Sequence, residues 1–209
     1  MNRDPDDPII IGLTGGLGSG KTAVGDFLRR GRVPVISCDE ISHQLMRPGH
    51  PMYERTVAEF GDSVLDADGR LDRGKLGERI FSDPDARERL QEITHPGILE
   101  EMGCRLRQLA TEGARVVILD IPLLYEEGLE DMCDEVWVVW CRREQQVRRV
   151  MRRDGLSEDE VNRRIDAQMP LQEKIRRADL VIDNSGTPDA LACRLAQIWE
   201  LWMKDNGFA

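Results

Sequence analysis

The sequence predicts an α/β fold: a parallel five-stranded sheet flanked by helices, with two helical insertions. Three observations carry this. Five short apolar runs are continuous rather than alternating, as in strands covered on both faces. Helical patterns separate them, and strands alternating with helices imply a parallel sheet. The spacing is uneven, with about eighty residues between the second run and the third, far more than one crossover helix needs.

The runs are 9–13, 33–37, 116–121, 136–141 and 180–183. Ile98, Leu99, Met102, Leu106 and Leu109 recur at helical spacing, as do Leu191, Leu195, Ile198 and Trp202. The long gap holds helix-like segments at 53–60, 73–81, 85–93 and 98–110, with turn signals at Asp68-Gly69 and His95-Pro96. It reads as an inserted helical subdomain. A second insertion lies between the fourth and fifth runs.

Composition narrows the function classes. In 209 residues, 40% are hydrophobic and 33% charged, enough for a core under a very polar surface. No apolar run approaches the roughly 18 residues of a membrane span. Residues 1–8 are acidic and Pro-rich, unlike a signal peptide. Five widely spaced cysteines form no CxxC pair, so reduced thiols in a cytoplasmic protein are expected, with no zinc site. The net charge of −10 argues against general nucleic-acid binding. Residues 142–177 nevertheless hold eleven Lys and Arg against seven Asp and Glu. That cluster is either an ion-paired helical surface or a basic element closing over an anionic ligand.

Gly15-Gly16-Leu17-Gly18-Ser19-Gly20-Lys21-Thr22 fits G-x-x-x-x-G-K-[ST], the phosphate-binding loop. Glycines let backbone N–H groups turn inward onto phosphate oxygens. The helix that follows aims its positive end at the same place. Lys21 reaches the β and γ phosphates, and the Thr22 hydroxyl ligates Mg²⁺. A strand before and a helix after give the required context.

Phosphate binding alone leaves the reaction open. No Asn-Lys-x-Asp guanine reader and no Ser-Gly-Gly signature is present, against a GTPase and an ABC-type ATPase. A small-molecule kinase needs a phosphate loop, an acceptor pocket, a carboxylate near the acceptor hydroxyl and an arginine lid. Asp39 follows the second strand, at the carboxyl edge of the sheet. It either accepts the acceptor's proton or helps position Mg²⁺, or it caps the helix of 40–46. Asp120 ends the third strand and is either a water-mediated Mg²⁺ ligand or a turn residue before Pro122.

From residue 10 to 202 the chain resembles the dephospho-coenzyme A kinases, a family of P-loop small-molecule kinases. The ordered markers are LTGGLGSGKT, VISCDEISHQLMRPG, Phe60-Gly61, DGRLDRGKL, ITHPGI, DIPLLYE, RVMRRDGLS, RIDAQMP and ADLVIDNSG. His-Pro, Pro-Leu-Leu and Asn-Ser-Gly in this order are the specific ones. The resemblance implies a P-loop kinase sheet made of 1–39, 115–142 and 178–209. It makes 40–114 the coenzyme A-binding helical subdomain and 143–177 the lid.

The implied reaction is phosphorylation of the ribose 3′-hydroxyl of dephospho-coenzyme A by ATP with Mg²⁺, the last step of coenzyme A biosynthesis. The resemblance makes Asp39, Lys21 and Arg149 catalytic. It assigns ATP to Gly16, Leu17, Gly18, Ser19, Gly20, Lys21, Thr22, Arg149, Arg153, Asn184 and Gly186. Arg149 and Arg153 are four residues apart, so one helix face presents both. Thr14, Asp39, His95, Pro122, Leu123 and Leu124 are assigned to the acceptor. His95 also reads as a buried hydrogen-bonding histidine, and Pro122-Leu123-Leu124 as core packing. The family usually has aspartate where this chain has Ser37, which puts a supporting role for that first acid in doubt. The expected enzyme is a cytoplasmic monomer or small homo-oligomer, without nucleic-acid or membrane partners.

Overall fold

The computed structural model describes residues 7–208, without the side chains of residues 81 and 82. Most of the acidic stretch 1–8 lies outside the described residues. The chain divides into two units, Met1–Val35 with Glu112–Ala209, and Ile36–Thr111.

The first unit carries the sheet. Strands β1 (Ile9–Gly15), β2 (Val35–Ser37), β3 (Val116–Asp120), β4 (Glu135–Trp140) and β5 (Leu180–Asp183) lie in the order β2-β3-β1-β4-β5. β1 pairs in parallel with β3 and β4, and β4 with β5. The boundary between the units falls within β2. The five apolar runs are therefore the five strands, displaced by at most two residues at their ends. β3 is buried at all five positions and β1 at its last five, which is why these runs do not alternate.

Two helices cover the core on either side of the motif-bearing strand. α1 (Lys21–Arg30) places Val24 and Leu28 against Ile11 and Leu13. A long carboxyl-terminal helix, Pro188–Asp205, adds Leu191, Leu195 and Trp202. Trp202 meets Trp137 edge-on, with ring centroids 5.9 Å apart. Both indole N–H groups donate to Glu135 Oε2, at 3.0 and 2.9 Å. A shared carboxylate thus satisfies two buried donors.

The second unit is helical. It holds α2 (Cys38–Leu45), α3 (Pro51–Phe60), α4 (Arg73–Ser82) and α5 (Pro84–Thr111). The sequence breaks at His95-Pro96, yet α5 runs through it. Proline there removes an N–H and crowds the carbonyl four residues back, at about 3 kcal/mol. Ile93, Ile98 and Met102 are buried on both sides of it. Each such burial contributes about 1.5–3 kcal/mol, so packing outweighs the break.

Within the first unit, α6 (Arg143–Asp154), α7 (Glu158–Asp166) and α8 (Leu171–Arg177) connect β4 to β5, and the Pro188–Asp205 helix becomes α9. Val147, Val150 and Val161 form a small core of their own, with Leu17 packed against it.

Candidate active site

Everything at the site starts from the end of β1. Gly18 and Gly20 have φ of 74° and 92°, values that L side chains rarely adopt. A Cβ at Gly18 would lie 2.7 Å from the Gln146 carbonyl oxygen, and one at Gly20 would strike the Asn184 amide. Backbone conformation and close approach both demand glycine. Lys21 then opens α1, so the loop sits at that helix's positive end.

The loop is gripped from the connection that follows β4. Gln146, 3% exposed, donates from Nε2 to the Leu17 carbonyl at 2.7 Å. The Leu17 N–H donates to Gln168 Oε1 at 3.0 Å. Arg149 donates from Nη1 to the Ser19 carbonyl at 3.2 Å and from Nη2 to the Asn184 carbonyl at 2.9 Å. Asn184 itself donates from Nδ2 to the Ser19 carbonyl at 2.7 Å. Arg149 and Asn184 thus meet on the same loop atom, as a charge-assisted fork and an amide. The buried Ser19 hydroxyl has no hydrogen-bond partner in the protein. A cleft of about 530 Å³ opens here, lined by Gly16, Trp140, Gln146, Gln168 and Leu171 among others.

On the β3 side, the Lys21 ammonium pairs with Asp120 Oδ1. Asp120 is 7% exposed and ends its strand. Asp120 is a charged partner of the loop lysine, a contact that neither reading of this residue anticipated. Thr22, next in α1, keeps its side chain exposed. Thr14 is fully buried and donates to the Pro122 carbonyl at 3.0 Å. Leu124 is also fully buried, facing Gly12, whereas Pro122 and Leu123 are half-buried.

Other expected residues lie elsewhere. Arg153 is exposed and donates to Asp154 at 2.6 and 2.8 Å. Arg143 binds Asp166 at 2.7 Å and Asn162 at 2.9 Å, tying α6 to α7. Gly186 is exposed beyond β5.

Asp39 and His95 belong to the second unit. Helix α2 begins at Cys38, and Ser37 is its N-cap, accepting from the Glu40 N–H at 3.3 Å. This corrects one of the two readings of Asp39: it does not cap the helix. It lies inside the first turn, and the cap role falls to Ser37, where the family usually has an acid. A hydroxyl there accepts a helix N–H as well as a carboxylate does. Partial burial pulls the Arg73 pKa down, and the Asp39 carboxylate opposes that.

Lys174 and Glu126 escape sequence reasoning. Lys174 is wholly buried. Its ammonium lies 2.8 Å from Glu126 Oε1 and donates to the Pro122 and Gly15 carbonyls at 3.2 and 3.5 Å. Glu126 also accepts from the Met169 N–H at 3.0 Å. Lysine 174 is lost in the basic cluster by composition. Its signal is positional: it stands between Leu171 and Ile175, where a helix turns its apolar side inward.

Comparison with known proteins finds relatives over nearly the whole chain. The dephospho-CoA kinase family model matches residues 9–189. A dephospho-CoA kinase of Geobacter sulfurreducens is 47% identical over 190 residues, covering 91% of this chain and 96% of its own. The solved structure of TT1252 from Thermus thermophilus superposes with a TM-score of 0.77 at 37% identity, over 93% of this chain and 97% of that one. The dephospho-CoA kinase from Campylobacter jejuni gives 0.69 at 26% identity, over 94% and 98%.

Proposed function

The chain belongs to the dephospho-CoA kinase family. On that premise we propose that it transfers the γ-phosphoryl group of ATP to the ribose 3′-hydroxyl of dephospho-coenzyme A, giving coenzyme A and ADP. The observation that carries this is the glycine loop that ends at Lys21 and whose Ser19 carbonyl accepts from both Arg149 and Asn184.

Phosphoryl transfer needs alignment and neutralisation of spread negative charge more than covalent help. Backbone N–H groups of the loop other than those of Leu17 and Ser19, which are bonded within the protein, bind the β and γ phosphates at the α1 terminus. Lys21 releases Asp120 and turns to the transferring group. Arg149, held by the Ser19 and Asn184 carbonyls, adds a second cation on the opposite side of the loop. Asn184 and Gly186 are assigned to the nucleotide base on the family likeness alone. Asp39 accepts the hydrogen of the 3′-hydroxyl and orients its lone pair for in-line attack. Arg153 joins Arg149 only if its bond to Asp154 is given up.

Magnesium fits the donors present. Mg²⁺ prefers one or two protein oxygens plus phosphates and water to a protein cage, and the Thr22 hydroxyl and Asp120 carboxylate supply such hard oxygens. Held there, the ion would supply positive charge that offsets the phosphate oxygens.

Within the helical unit, acceptor binding falls to Asp39 and His95. Among the described residues no helix is long and apolar enough to cross a membrane. The net charge of −10 weighs against general nucleic-acid binding. The test is ADP release with dephospho-coenzyme A, with nucleosides and with no acceptor. Release only with the first is expected; equal rates in all three arms would refute the reading.

A further inference from the structure

Leu17, inside the phosphate loop, has both of its backbone groups held by glutamine side chains. Gln146 Nε2 donates to the Leu17 carbonyl at 2.7 Å, and Gln168 Oε1 accepts from the Leu17 N–H at 3.0 Å. A carbonyl needs a donor and an N–H needs an acceptor, so the backbone fixes which amide atom each glutamine presents. Leu17 stands between Gly16 and Gly18, and Gly18 lies at φ 74°. Glycines impose little conformational preference of their own, so the orientation of these peptide groups is set from outside the loop. The Leu17 side chain adds a third hold, packed against Val147, Val150 and Val161.

That orientation bears on the chemistry through peptide geometry. A trans peptide is planar, with its C=O and the following N–H on opposite sides. The Leu17 carbonyl turned to Gln146 therefore turns the Gly18 N–H away from α6. Further along, the Ser19 carbonyl accepts from Arg149 and Asn184 at 3.2 and 2.7 Å, which turns the Gly20 N–H away from those two side chains. Gly18 and Gly20 are among the loop N–H groups assigned to the phosphates above.

Both glutamines are themselves fixed. Gln146 is buried on α6. Gln168 lies in the link between α7 and α8, and the next residue ties that link down: the Met169 N–H donates to Glu126 Oε1 at 3.0 Å. Lys174 of α8 pairs with the same oxygen at 2.8 Å and donates to the Pro122 carbonyl at 3.2 Å and the Gly15 carbonyl at 3.5 Å. The polar path thus leaves the loop at Leu17 and returns to it at Gly15, wholly within the first unit.

We propose that Gln146 and Gln168 are positioning residues for phosphoryl transfer: by holding the two backbone groups of Leu17 they aim the Gly18 N–H at the triphosphate, while the Lys174–Glu126 pair braces the link that carries Gln168. The proposal rests on the kinase reading above. Both glutamines act through the loop backbone, one as a donor and the other as an acceptor. That difference separates positioning from mere packing or charge.

The test is steady-state kinetics of the full chain with ATP and dephospho-coenzyme A, beside melting curves. Gln168→Met removes the acceptor and should lower kcat by about tenfold to 10²-fold, the scale of a misaimed group at a reacting centre. KM for dephospho-coenzyme A should hold. Glutamate keeps an acceptor but, ionised, has no donor. Gln168→Glu should therefore recover most of what Gln168→Met loses, whereas Gln146→Glu should do no better than Gln146→Met. Both glutamate variants add the same charge beside the same residue, so charge alone would move them together. Gln146 is buried, and if its variants do not melt cooperatively the Gln168 pair decides. Wild-type kcat in a folded Gln168→Met protein, or equal losses in Gln168→Met and Gln168→Glu, would overturn the proposal and leave the kinase reading intact. A loss of rate matched by the fraction of unfolded protein would make the glutamines structural and overturn it equally. A wild-type protein with no acceptor-dependent ADP release would overturn both.

Discussion

Lys174 Nζ lies 2.8 Å from Glu126 Oε1, and the lysine side chain has no access to solvent. Burial pulls its pKa below the ordinary lysine value, while Glu126 opposes that shift. The pair joins α8 to the loop after β3, and two more bonds reach the Pro122 and Gly15 carbonyls. Glu126 Oε2 is buried without a partner of its own. Lys174→Met therefore strands a buried carboxylate, and breaking such a pair costs about 3–5 kcal/mol. Urea unfolding should show that loss. Adding Glu126→Gln should restore part of it, since the uncompensated charge is then gone. No recovery in the double variant would mean that the lysine acts mainly through its carbonyl contacts.

Lys21 presents a different balance. The structure shows it paired with Asp120; the role proposed for it is at the transferring phosphate. Lys21→Ala should lower kcat by about 10²-fold or more, the scale of one preorganised transition-state contact. Unfolding should remain cooperative. Near-normal turnover in a folded Lys21→Ala protein would contradict its role.

The glycine loop was legible because each residue type has a backbone reason that needs no tertiary context. Gly18 and Gly20 at positive φ are such cases. The strands were legible because β1, β3 and β4 are buried on both faces along most of their length and so are mostly apolar. Pro96 misled because local propensity is outweighed by Ile93, Ile98 and Met102 packing around it. Ser37 as N-cap was hidden for a subtler reason. Ser and Asp both cap well, so the register of α2 is decided by where β2 ends. Lys174 and Gln146 were invisible because their meaning depends on partners far away in sequence, at Glu126 and Leu17.

The arginines of α6 separate by geometry. Arg149 faces the phosphate loop, Arg153 holds its neighbour Asp154, and Arg143 bridges to Asp166 on the surface. Arg149→Ala should lower turnover about 10²-fold. Arg153→Ala should cost less than Arg149→Ala, and Arg143→Ala should leave turnover near wild type, because an exposed pair contributes about 0–1 kcal/mol. Equal losses in all three variants would show that total charge of the helix, rather than the aim of Arg149, sets the rate.

Thiol reactivity follows burial. Burial first, then Asp134 and Glu130, push the Cys133 thiol up to about 12. Cys141 is raised as well, chiefly by burial, with Arg149 opposing. Cys104 and Cys193 are exposed. Only the thiolate is nucleophilic, so iodoacetamide near pH 8 should label Cys104 and Cys193 in the native protein and spare Cys133 and Cys141. Mass spectrometry of the labelled protein reads this directly. Early modification of Cys141 would mean that the bond from its thiol to the Gly18 carbonyl opens readily.

Asp39→Asn is the most discriminating substitution for the chemistry. Asparagine keeps the size and removes both the charge and the proton acceptor. Ser37, not Asp39, caps α2, so the change leaves the cap bond to Glu40 in place. Asp39 does lie in the first turn, where a negative charge favours the helix by about 0.3–1 kcal/mol. The melting temperature should therefore fall by only a few degrees. If Asp39 receives the acceptor's proton, turnover falls by about 10²-fold or more, the usual scale for a positioned general base. ATP affinity should hold, because the loop and Arg149 lie in the other unit. Measured together, the three quantities separate the cases. A large loss of stability with proportionate loss of rate would make Asp39 structural. Retained turnover would refute its catalytic role and move that role to Asp120, the acid at the end of β3.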